Sequence, residues 1–349
     1  CETMTASCSS TTTTTFLGNV ALPYWQTLVR VAEQIGVKPE SITALSAKTH
    51  DQEGLSSITV EHYITLFEAG LEQCSDFGLT VGKSITPGTY PVLGMTLLSC
   101  QNLLQVLEQV VRYETLNHDL GKSHLELGQR ESVYSWIPNE LLFPNKKSDF
   151  CFHLIVSVFA GIRTFSPWLI NAAIPFKQIN FTGSEPANAA IYKDFFETDI
   201  RYGQATNSIV VDRKILDWPV LNGDTSSFEA LTSYAETLLN SRVQKQDIIS
   251  KVKSILPEAL RRQSFRIDEL ASQLNMSPRT LQRKLKESDY SYQSILDDVR
   301  RGFAEHYLAS TELSMNEIAF LIGYQEQSSF NHAFKGWNGV SPTAYREQH

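Results

Sequence analysis

The sequence predicts a two-part protein, with an amino-terminal region of mixed α/β (α+β) class followed by an all-α region that contains two helix-turn-helix motifs. Three observations predict this division. The chain has 349 residues, which is more than one hydrophobic core usually spans. Its first 240 residues combine helical periodicity with short alternating stretches, whereas the rest has helical periodicity alone. Finally, one pattern of apolar residues occurs twice near the carboxy terminus.

The composition is that of a globular protein, neither disordered nor membrane-embedded, since 42% of the residues are hydrophobic and 19% are charged. The longest apolar run, Phe150–Ile162, is shorter than the roughly 18 residues that a membrane-spanning helix needs, and it contains His153. We therefore predict a buried helix at this position, no membrane partner and a cytoplasmic protein.

The five cysteines are an odd number and form no C-x-x-C pair, which argues against a disulfide framework or a zinc site. Reduced thiols are expected, with no metal and no cofactor. Residues 1–18 lack a basic segment followed by an apolar one, so they do not have the pattern of a secretory signal. They are predicted to be a disordered tail.

Charge is distributed unevenly along the chain, whose net charge is −8. Residues 251–349 hold 13 Lys and Arg against 12 Asp and Glu, which gives +1, and the residues before them carry −9. A segment at +1 is not strongly basic. Binding to a nucleic acid must therefore depend on where the charges lie and not on their sum.

The amino-terminal region begins with apolar residues at helical spacing from Leu22 to Gly82, which predicts two or three short helices. The segment Pro87–Met95 is predicted to be a turn followed by an extended stretch. Residues 102–116 then predict a strongly amphipathic helix. Its apolar stripe consists of Leu103, Leu104, Leu107, Val110 and Val111.

Strands are predicted after this helix. Residues 123–138 alternate around a glycine-centred turn, which is typical of a β-hairpin. Residues 178–182 and 207–212 predict further short strands, and residues 187–196 between them predict a helix.

The last helix of this region carries a stripe that is either intrachain core or the seam of a homodimer. The stripe consists of Phe228, Leu231, Ala235 and Leu238. Polar residues follow it, so we assign residues 19–240 to one domain, residues 241–250 to a linker and residues 251–349 to a second domain.

A repeated pattern defines the carboxy-terminal region. Leu270-Ala271 and Leu274 match Ile318-Ala319 and Ile322 at an offset of 48 residues, whereas Leu281 and Leu285 match Phe330 and Phe334 at an offset of 49. Each copy is an apolar helix, a short turn with one extra residue in the second copy, and a second helix with an apolar pair. This is the pattern of a helix-turn-helix, and it occurs twice.

The second helix of each copy turns its apolar pair toward the core, so the residues between must face outward. Ser277 before Pro278 is predicted to cap the first of these helices, and Gln327, Ser328 and Ser329 are predicted to play the same capping part in the other. Arg, Gln and Asn recognise base edges in the major groove, and Lys suits phosphates. The candidate DNA-binding residues are Arg279, Gln282, Arg283, Lys286, Gln327, Ser328, Asn331, His332 and Lys335.

These residues lie in a segment that resembles the carboxy-terminal signature of the AraC/XylS family of bacterial transcription regulators. The resemblance covers about the last hundred residues. It includes the A-x-x-x-G turn, S-x-F-x-x-x-F-K, and G-x-S-P-x-x-Y-R at Gly339–Arg346. Two positions depart from the family pattern: Tyr324 stands where Phe is usual, and His332 stands where Arg is more frequent.

Residues 20 to 230 also resemble the effector domain of one branch of this family, through "LLQVLEQVVRY", "IYKDFFETDIRYG" and "LDWP". The resemblance implies a regulator whose partners are promoter DNA, a small-molecule effector of unstated identity, RNA polymerase and a second copy of the chain. The alternative is an oligomerising DNA-binding regulator that has no small-molecule ligand.

An enzyme is the main rival from another functional class, but the sequence contains none of the common catalytic motifs. The segment "FGLTVGKS", Phe77–Ser84, lacks the first glycine of a phosphate-binding loop. We therefore predict no enzymatic activity and no catalytic residues. His118 and His124 are predicted to lie on a surface loop. Tyrosines and arginines near Arg112, Arg163 and Arg201 are either a clamp for a carboxylate ligand or structural ion pairs.

Overall fold

The computed structural model describes residues 18–38, 57–288, 290–311 and 313–348. The chain divides into two compact units, with the boundary between Ser241 and Arg242. The predicted tail lies outside the described residues except for Gly18, and Cys1 and Cys8 lie outside them with it.

The amino-terminal unit combines helices and two sheets, as the sequence predicts. Its helices are α1 (Leu22–Gln34), α2 (Val60–Gln73), α3 (Phe77–Lys83), α4 (Pro91–Ser99), α5 (Leu103–Tyr113), α6 (Asp149–Ile170), α7 (Ala189–Phe196) and the first part of α8 (Thr225–Arg261). Its strands are β1 (Asn19–Ala21), β2 (Ser57–Thr59), β3 (Gly121–Leu127), β4 (Glu131–Pro138), β5 (Gln178–Asn180), β6 (Asp199–Arg201) and β7 (Ser208–Asp212). Short 3₁₀ turns lie at Pro87–Thr89, Glu114–Leu116 and Arg213–Asp217.

The larger sheet has the strand order β3-β4-β7-β5-β6. The β3–β4 pair is the predicted hairpin, and β5 and β7 correspond to the two predicted short strands. The sequence analysis missed β6, which pairs with β5 in parallel through three residues. Strands β1 and β2 form a separate antiparallel pair.

Helix α6 forms the centre of the amino-terminal core, which confirms the predicted buried helix. By length and composition alone, its 22 residues are long and apolar enough to cross a membrane. The apolar run at its start is too short to do so. Most of its side chains are buried against the other helices and the sheet, including those of Leu154, Val156 and Phe159. It is therefore the core helix of a globular domain.

Two glycines allow α3 to lie directly against α6. A Cβ atom at Gly78 would stand 2.1 Å from the carbonyl oxygen of His153, and one at Gly82 would stand 2.5 Å from the Cβ of Ala160. Because these glycines are four residues apart, they share one face of α3. The segment that partly matches a phosphate-binding loop is thus a helix-packing surface.

The expectation of an extended segment at Pro91–Met95 is wrong, because α4 begins at Pro91. Proline suits the first helical position, where its fixed φ is helical and its missing N–H has no intrahelical partner. The preceding turn packs so closely that a Cβ atom at Gly94 would stand 2.1 Å from the carbonyl oxygen of Pro87.

The stripe on α8 belongs to the core of the amino-terminal unit. Ala235 is fully buried, and Phe228, Leu231 and Leu238 are half-buried against the same core. This observation favours the intrachain interpretation of the stripe. Residues 241–250, the proposed linker, lie within α8.

The carboxy-terminal unit is helical throughout its described residues and contains both predicted helix-turn-helix motifs. After α8 it consists of α9 (Ile267–Gln273), α10 (Pro278–Lys286), α11 (Tyr292–Ser310), α12 (Met315–Leu321), α13 (Gln327–Asn338) and α14 (Pro342–Gln348). Helices α9 and α10 are separated by four residues, and α12 and α13 by five, which accounts for the change of offset between the copies. The motifs have separate cores, with α11 contributing Ile295 to the first and Ala304 to the second.

The G-x-S-P-x-x-Y-R segment closes the second core. Gly339 ends α13 in the left-handed region at φ 73°, and Pro342 starts α14 after Ser341, whose Oγ accepts a hydrogen bond from the amide of Ala344. Tyr345 packs edge-on against Phe334. Arg346 donates a hydrogen bond of 2.7 Å from Nη2 to the carbonyl oxygen of Leu313.

Arg300 of α11 joins the two motifs. It donates hydrogen bonds to the carbonyl oxygens of Ile322 (2.9 Å) and Gly323 (3.0 Å), in the turn of the second motif. Its guanidinium lies over the ring of Tyr324, from the same turn, and over the ring of Phe265, which belongs to the core of the first motif. The side chain is 7% exposed, so these contacts are shielded from water.

We expect Arg300→Met to lower the free energy of unfolding by about 3 kcal/mol, because two buried carbonyl groups lose a charged donor and two rings lose a cation. Unfolding of the full chain in urea, followed by circular dichroism, measures this change. Arg262→Met is the matched control, since Arg262 forms an exposed pair with Glu258 and its loss should change stability little. Equal effects of the two substitutions would contradict the assignment.

Candidate functional site

Two surfaces of the carboxy-terminal unit are candidate recognition surfaces, and the first of them is the outer face of α10. Ser277 caps this helix, because its Oγ accepts a hydrogen bond of 3.1 Å from the amide of Thr280. Leu281 and Leu285 are fully buried, as predicted. The four candidate residues Arg279, Gln282, Arg283 and Lys286 are all exposed.

An acidic partner of Arg283 was missed in the sequence. Its Nη1 lies 2.5 Å from Oε1 of Glu287, one helical turn further along. The i,i+4 spacing of an Arg and a Glu was visible in the sequence and could have revealed this pair. Lys284, which the sequence analysis also passed over, is exposed on the same helix.

The second recognition surface is the outer face of α13. Phe330 and Phe334 are fully buried, and the candidate residues Gln327, Ser328, His332 and Lys335 are exposed. Asn331 is half-buried instead of facing fully outward, and its Oδ1 is buried without a hydrogen-bond partner in the structure. It therefore lies at the edge of this surface.

The predicted start of α13 needs a correction. Gln327 is its first helical residue, and Glu326 occupies the capping position without accepting a hydrogen bond from the helix backbone. Glu326 accepts one from the hydroxyl of Ser328 instead, at 3.2 Å. A carboxylate is favoured electrostatically at the amino-terminal end of a helix, which explains why no Ser or Thr is needed there.

The two recognition surfaces differ in charge. Four basic side chains are exposed on α10, with one acidic residue following it, whereas α13 has Lys335 and is preceded by Glu326. On DNA, the first surface can neutralise several phosphates, and the second offers mainly neutral hydrogen-bonding groups.

The candidate carboxylate clamp of the amino-terminal unit is a set of structural ion pairs. Nε of Arg112 lies 2.5 Å from Oε1 of Glu236, which also accepts a hydrogen bond from the hydroxyl of Tyr113. The other two pairs join Arg163 to Glu197 and Arg201 to Asp199. These arginines do not line the cavity described next.

A cavity in the amino-terminal unit lies between the larger sheet and helices α4, α5 and α6. It offers about 110 Å³ of space to the centres of water-sized molecules. Its floor includes Leu125, Tyr134 and Ile209, which form one row across β3, β4 and β7. Most of its wall is aliphatic, contributed largely by α4, α5 and α6.

One part of the wall is polar, and we call it the polar cluster: Tyr24, Tyr90, Glu114, His118 and Tyr134. The ring centroids of Tyr24 and Tyr90 are 5.8 Å apart, and those of Tyr24 and His118 are 5.1 Å apart. Nε2 of His118 lies 4.0 Å from Oε1 of Glu114. These residues come from separate elements, which explains why no local sequence motif indicated them.

Glu114 is the acidic residue of this cluster. It accepts hydrogen bonds from the amide of Ser123 (2.7 Å) and from the indole Nε1 of Trp136 (2.8 Å). Burial raises the pKa of its carboxyl to about 7, although these hydrogen bonds and the nearby Lys122 act in the opposite direction. The carboxyl therefore changes charge near neutral pH.

The prediction that His118 lies on a surface loop is wrong, because His118 is only 4% exposed. The 3₁₀ turn that follows α5 brings it against the ring of Tyr24. His124 is exposed as expected, but it belongs to strand β3 and not to a loop.

Comparison with known proteins identifies both parts of the chain. Residues 41–220 match the family described as the arabinose-binding domain of AraC transcription regulator, N-term. Residues 270–348 match a family described as a helix-turn-helix domain.

Curated relatives extend this similarity over most of the chain. The ornithine utilization regulator of Pseudomonas aeruginosa is 26% identical over 272 residues, which are 77% of this chain and 78% of that protein. The HTH-type transcriptional regulator VirS of Mycobacterium tuberculosis is 28% identical over 315 residues, which are 85% and 86% of the two chains. Among solved structures, the transcriptional regulator CdpR from Pseudomonas aeruginosa has 19% identity and a TM-score of 0.47, over 93% of this chain and 98% of that one.

We expect the stability of the amino-terminal unit to fall as the pH rises from about 4.5 to about 7 because of Glu114. A carboxyl whose pKa is raised on folding stabilises the folded state while it is protonated, and this contribution is lost as the folded form ionises. The loss is about 3 kcal/mol at most. Urea unfolding at pH 5 and pH 8 measures it, and Glu114→Gln should show a smaller difference between these pH values.

The groups that face Glu114 are Tyr24, Tyr90, His118, Lys122 and Tyr134. These groups are unchanged in Glu114→Gln. If the stability of wild type and of Glu114→Gln depends on pH in the same way, the dependence comes from one of these groups and not from Glu114.

Proposed function

Because the chain belongs to the AraC/XylS family of transcription regulators, we propose that its helices α10 and α13 read promoter DNA and that a small molecule bound in the amino-terminal cavity controls this binding. The chain is a DNA-binding regulator with an amino-terminal ligand-binding domain. One observation supports the use of both helices: each exposes a polar face, while Arg300 fixes the two motifs to each other.

The proposed contacts follow from side-chain chemistry. Arg279 and Arg283 donate hydrogen bonds to guanine. Adenine is bound by amide side chains, those of Gln282, Gln327 and Asn331. Ser328 and His332 add smaller polar contacts, and Lys286 and Lys335, in the last turns of their helices, bind phosphates. Arg283 must leave Glu287 to reach a base, so its contact with DNA replaces an existing ion pair.

Ligand binding in the cavity would then change the affinity for the promoter or the contact with RNA polymerase. Residues of both the sheet and the helices line the cavity, so a ligand there would touch several elements at once. We also propose that the protein works in the cytoplasm as a homodimer and has no enzymatic activity.

The two-reader arrangement predicts protection of two major-groove segments on one face of the DNA, with centres about 10 base pairs or about 34 Å apart. Hydroxyl-radical footprinting of the full chain, on a site selected from genomic fragments, measures the spacing. A single protected segment per protein chain would contradict the use of both helices.

Two substitutions separate base reading from phosphate binding. Arg283→Ala should cost about 1 to 3 kcal/mol at the selected site and relax the preference at one base position. Lys335→Ala should weaken binding to all sequences alike. It should also make the slope of log affinity against log salt concentration less steep, by about the contribution of one phosphate contact. Gel shifts over a series of salt concentrations, on the selected site and on single-base variants, measure both effects.

Glu287→Gln is the matched control for the first substitution, since it releases Arg283 without removing it. Binding should tighten slightly, with the base preference unchanged. If Arg283→Ala and Lys335→Ala give the same base preferences and the same salt dependence, these roles are wrong.

A further inference from the structure

Among its described lining residues, the cavity has one acidic side chain, Glu114, and one histidine, His118. Glu114 contributes a carboxylate, and no Lys or Arg contributes to the described wall. A carboxylate or phosphate ligand would therefore lie near the like charge of Glu114, and the histidine of the wall already faces that carboxylate, with Nε2 of His118 4.0 Å from Oε1. The charge of the wall disfavours an anionic ligand.

A buried hydrogen-bond acceptor in the same wall has no donor among the described residues. Asn117 is 2% exposed, and its Oδ1 has no hydrogen-bond partner in the structure. An unsatisfied buried acceptor costs free energy that a donor on a ligand can recover. Together with Glu114, this atom favours a ligand head group that donates hydrogen bonds.

Aromatic rings surround the acidic group. Tyr24, Tyr90 and Tyr134 all line the cavity, and each is close enough to Glu114 for the carboxylate to raise the pKa of its hydroxyl further, beyond the larger effect of burial. Aromatic faces attract cations, and sites that combine several rings with a carboxylate are suited to ammonium groups. The rest of the wall is aliphatic and suits an apolar ligand body.

We propose that the cavity selects a ligand with an apolar body and a cationic ammonium head, which lies between Glu114 and the tyrosine rings. This inference rests on the proposed role of the cavity as the effector site. The ammonium group donates hydrogen bonds to Glu114 and Asn117, and its charge compensates for the burial of the carboxylate. A neutral alcohol of the same shape can donate a hydrogen bond, but it offers no opposite charge.

A matched set of small probes tests this preference: pentylamine, 1-pentanol and pentanoate. Pentylamine and pentanol have six non-hydrogen atoms each and pentanoate has seven, so the three probes are matched in size and differ mainly in the charge of the head group. At pH 8 pentylamine is protonated, since its amine resembles that of lysine with a pKa of about 10.4, and Glu114 is largely ionised. Titration calorimetry on the full chain measures the three affinities.

We expect pentylamine to bind at least about tenfold more tightly than pentanol, and pentanoate more weakly than either. Glu114→Gln should remove the preference for the amine over the alcohol. Tyr90→Leu should weaken pentylamine by about tenfold and pentanol much less, whereas Tyr90→Phe, which keeps the ring, should bind pentylamine nearly as wild type does. This last variant also shows whether a change at position 90 disturbs the fold.

The outcomes separate the ligand class from the site itself. Equal binding of pentanol and pentylamine, or tighter binding of pentanoate, overturns the ammonium assignment while the cavity remains a ligand site. A preference for the amine that is as large in Glu114→Gln as in wild type also overturns it, because the carboxylate then contributes nothing to the selection. If no probe binds, the cavity is not the effector site, and this inference falls with the proposed function.

Discussion

A buried arginine, Arg300, links the two motifs of the DNA-binding unit. Each helix-turn-helix motif has its own hydrophobic core, and the two cores are connected by α11 and by its half-buried Phe303, which packs against both. Arg300 lies between the rings of Phe265 and Tyr324 and binds the turn that separates α12 from α13. The turn itself must be tight, since Gly323 has a φ of 83° and a Cβ atom there would stand 2.7 Å from the ring of Phe265. Arg300 therefore acts together with α11 to hold the two candidate recognition helices in position.

The helix-turn-helix motifs could be predicted from the sequence because each lies within about twenty consecutive residues. Helical spacing placed Leu281, Leu285, Phe330 and Phe334 in the core and left the polar residues outside, and the structure confirms this pattern. The cavity could not be predicted in the same way. Its polar cluster joins residues from Tyr24 to Tyr134, and their proximity depends on the pairing of β3 with β4 and on the turn after α5. Single-sequence periodicity contains no information about such distant contacts.

The wrong predictions share a physical origin, because the residue types involved suit two environments. Pro91 is compatible with a turn and with the first position of a helix, and tertiary packing of the preceding turn selects the helix. His118 is polar enough for a surface loop, yet its ring also packs against Tyr24 in the interior. Glu326 is not among the preferred side-chain caps, but its negative charge is favoured at the start of a helix. In each case local propensity left two states open, and tertiary contacts or helix electrostatics selected one of them.

The ion pair between Arg283 and Glu287 has a consequence for the search along a chromosome. On the proposed role of α10 in DNA binding, Glu287 offsets the charge of Arg283 while the pair is intact, so fewer counterions would be released from non-specific DNA than the number of basic residues suggests. Sliding is then less sensitive to ionic strength than the final complex. A guanine offers two acceptors and can replace Glu287 as the partner of the guanidinium. Other bases form weaker contacts, which offset less of the free energy lost when the ion pair breaks. On the proposed role of Arg283, the helix thus carries an internal competitor for the guanidinium, which lowers the net free energy gained from the base contact.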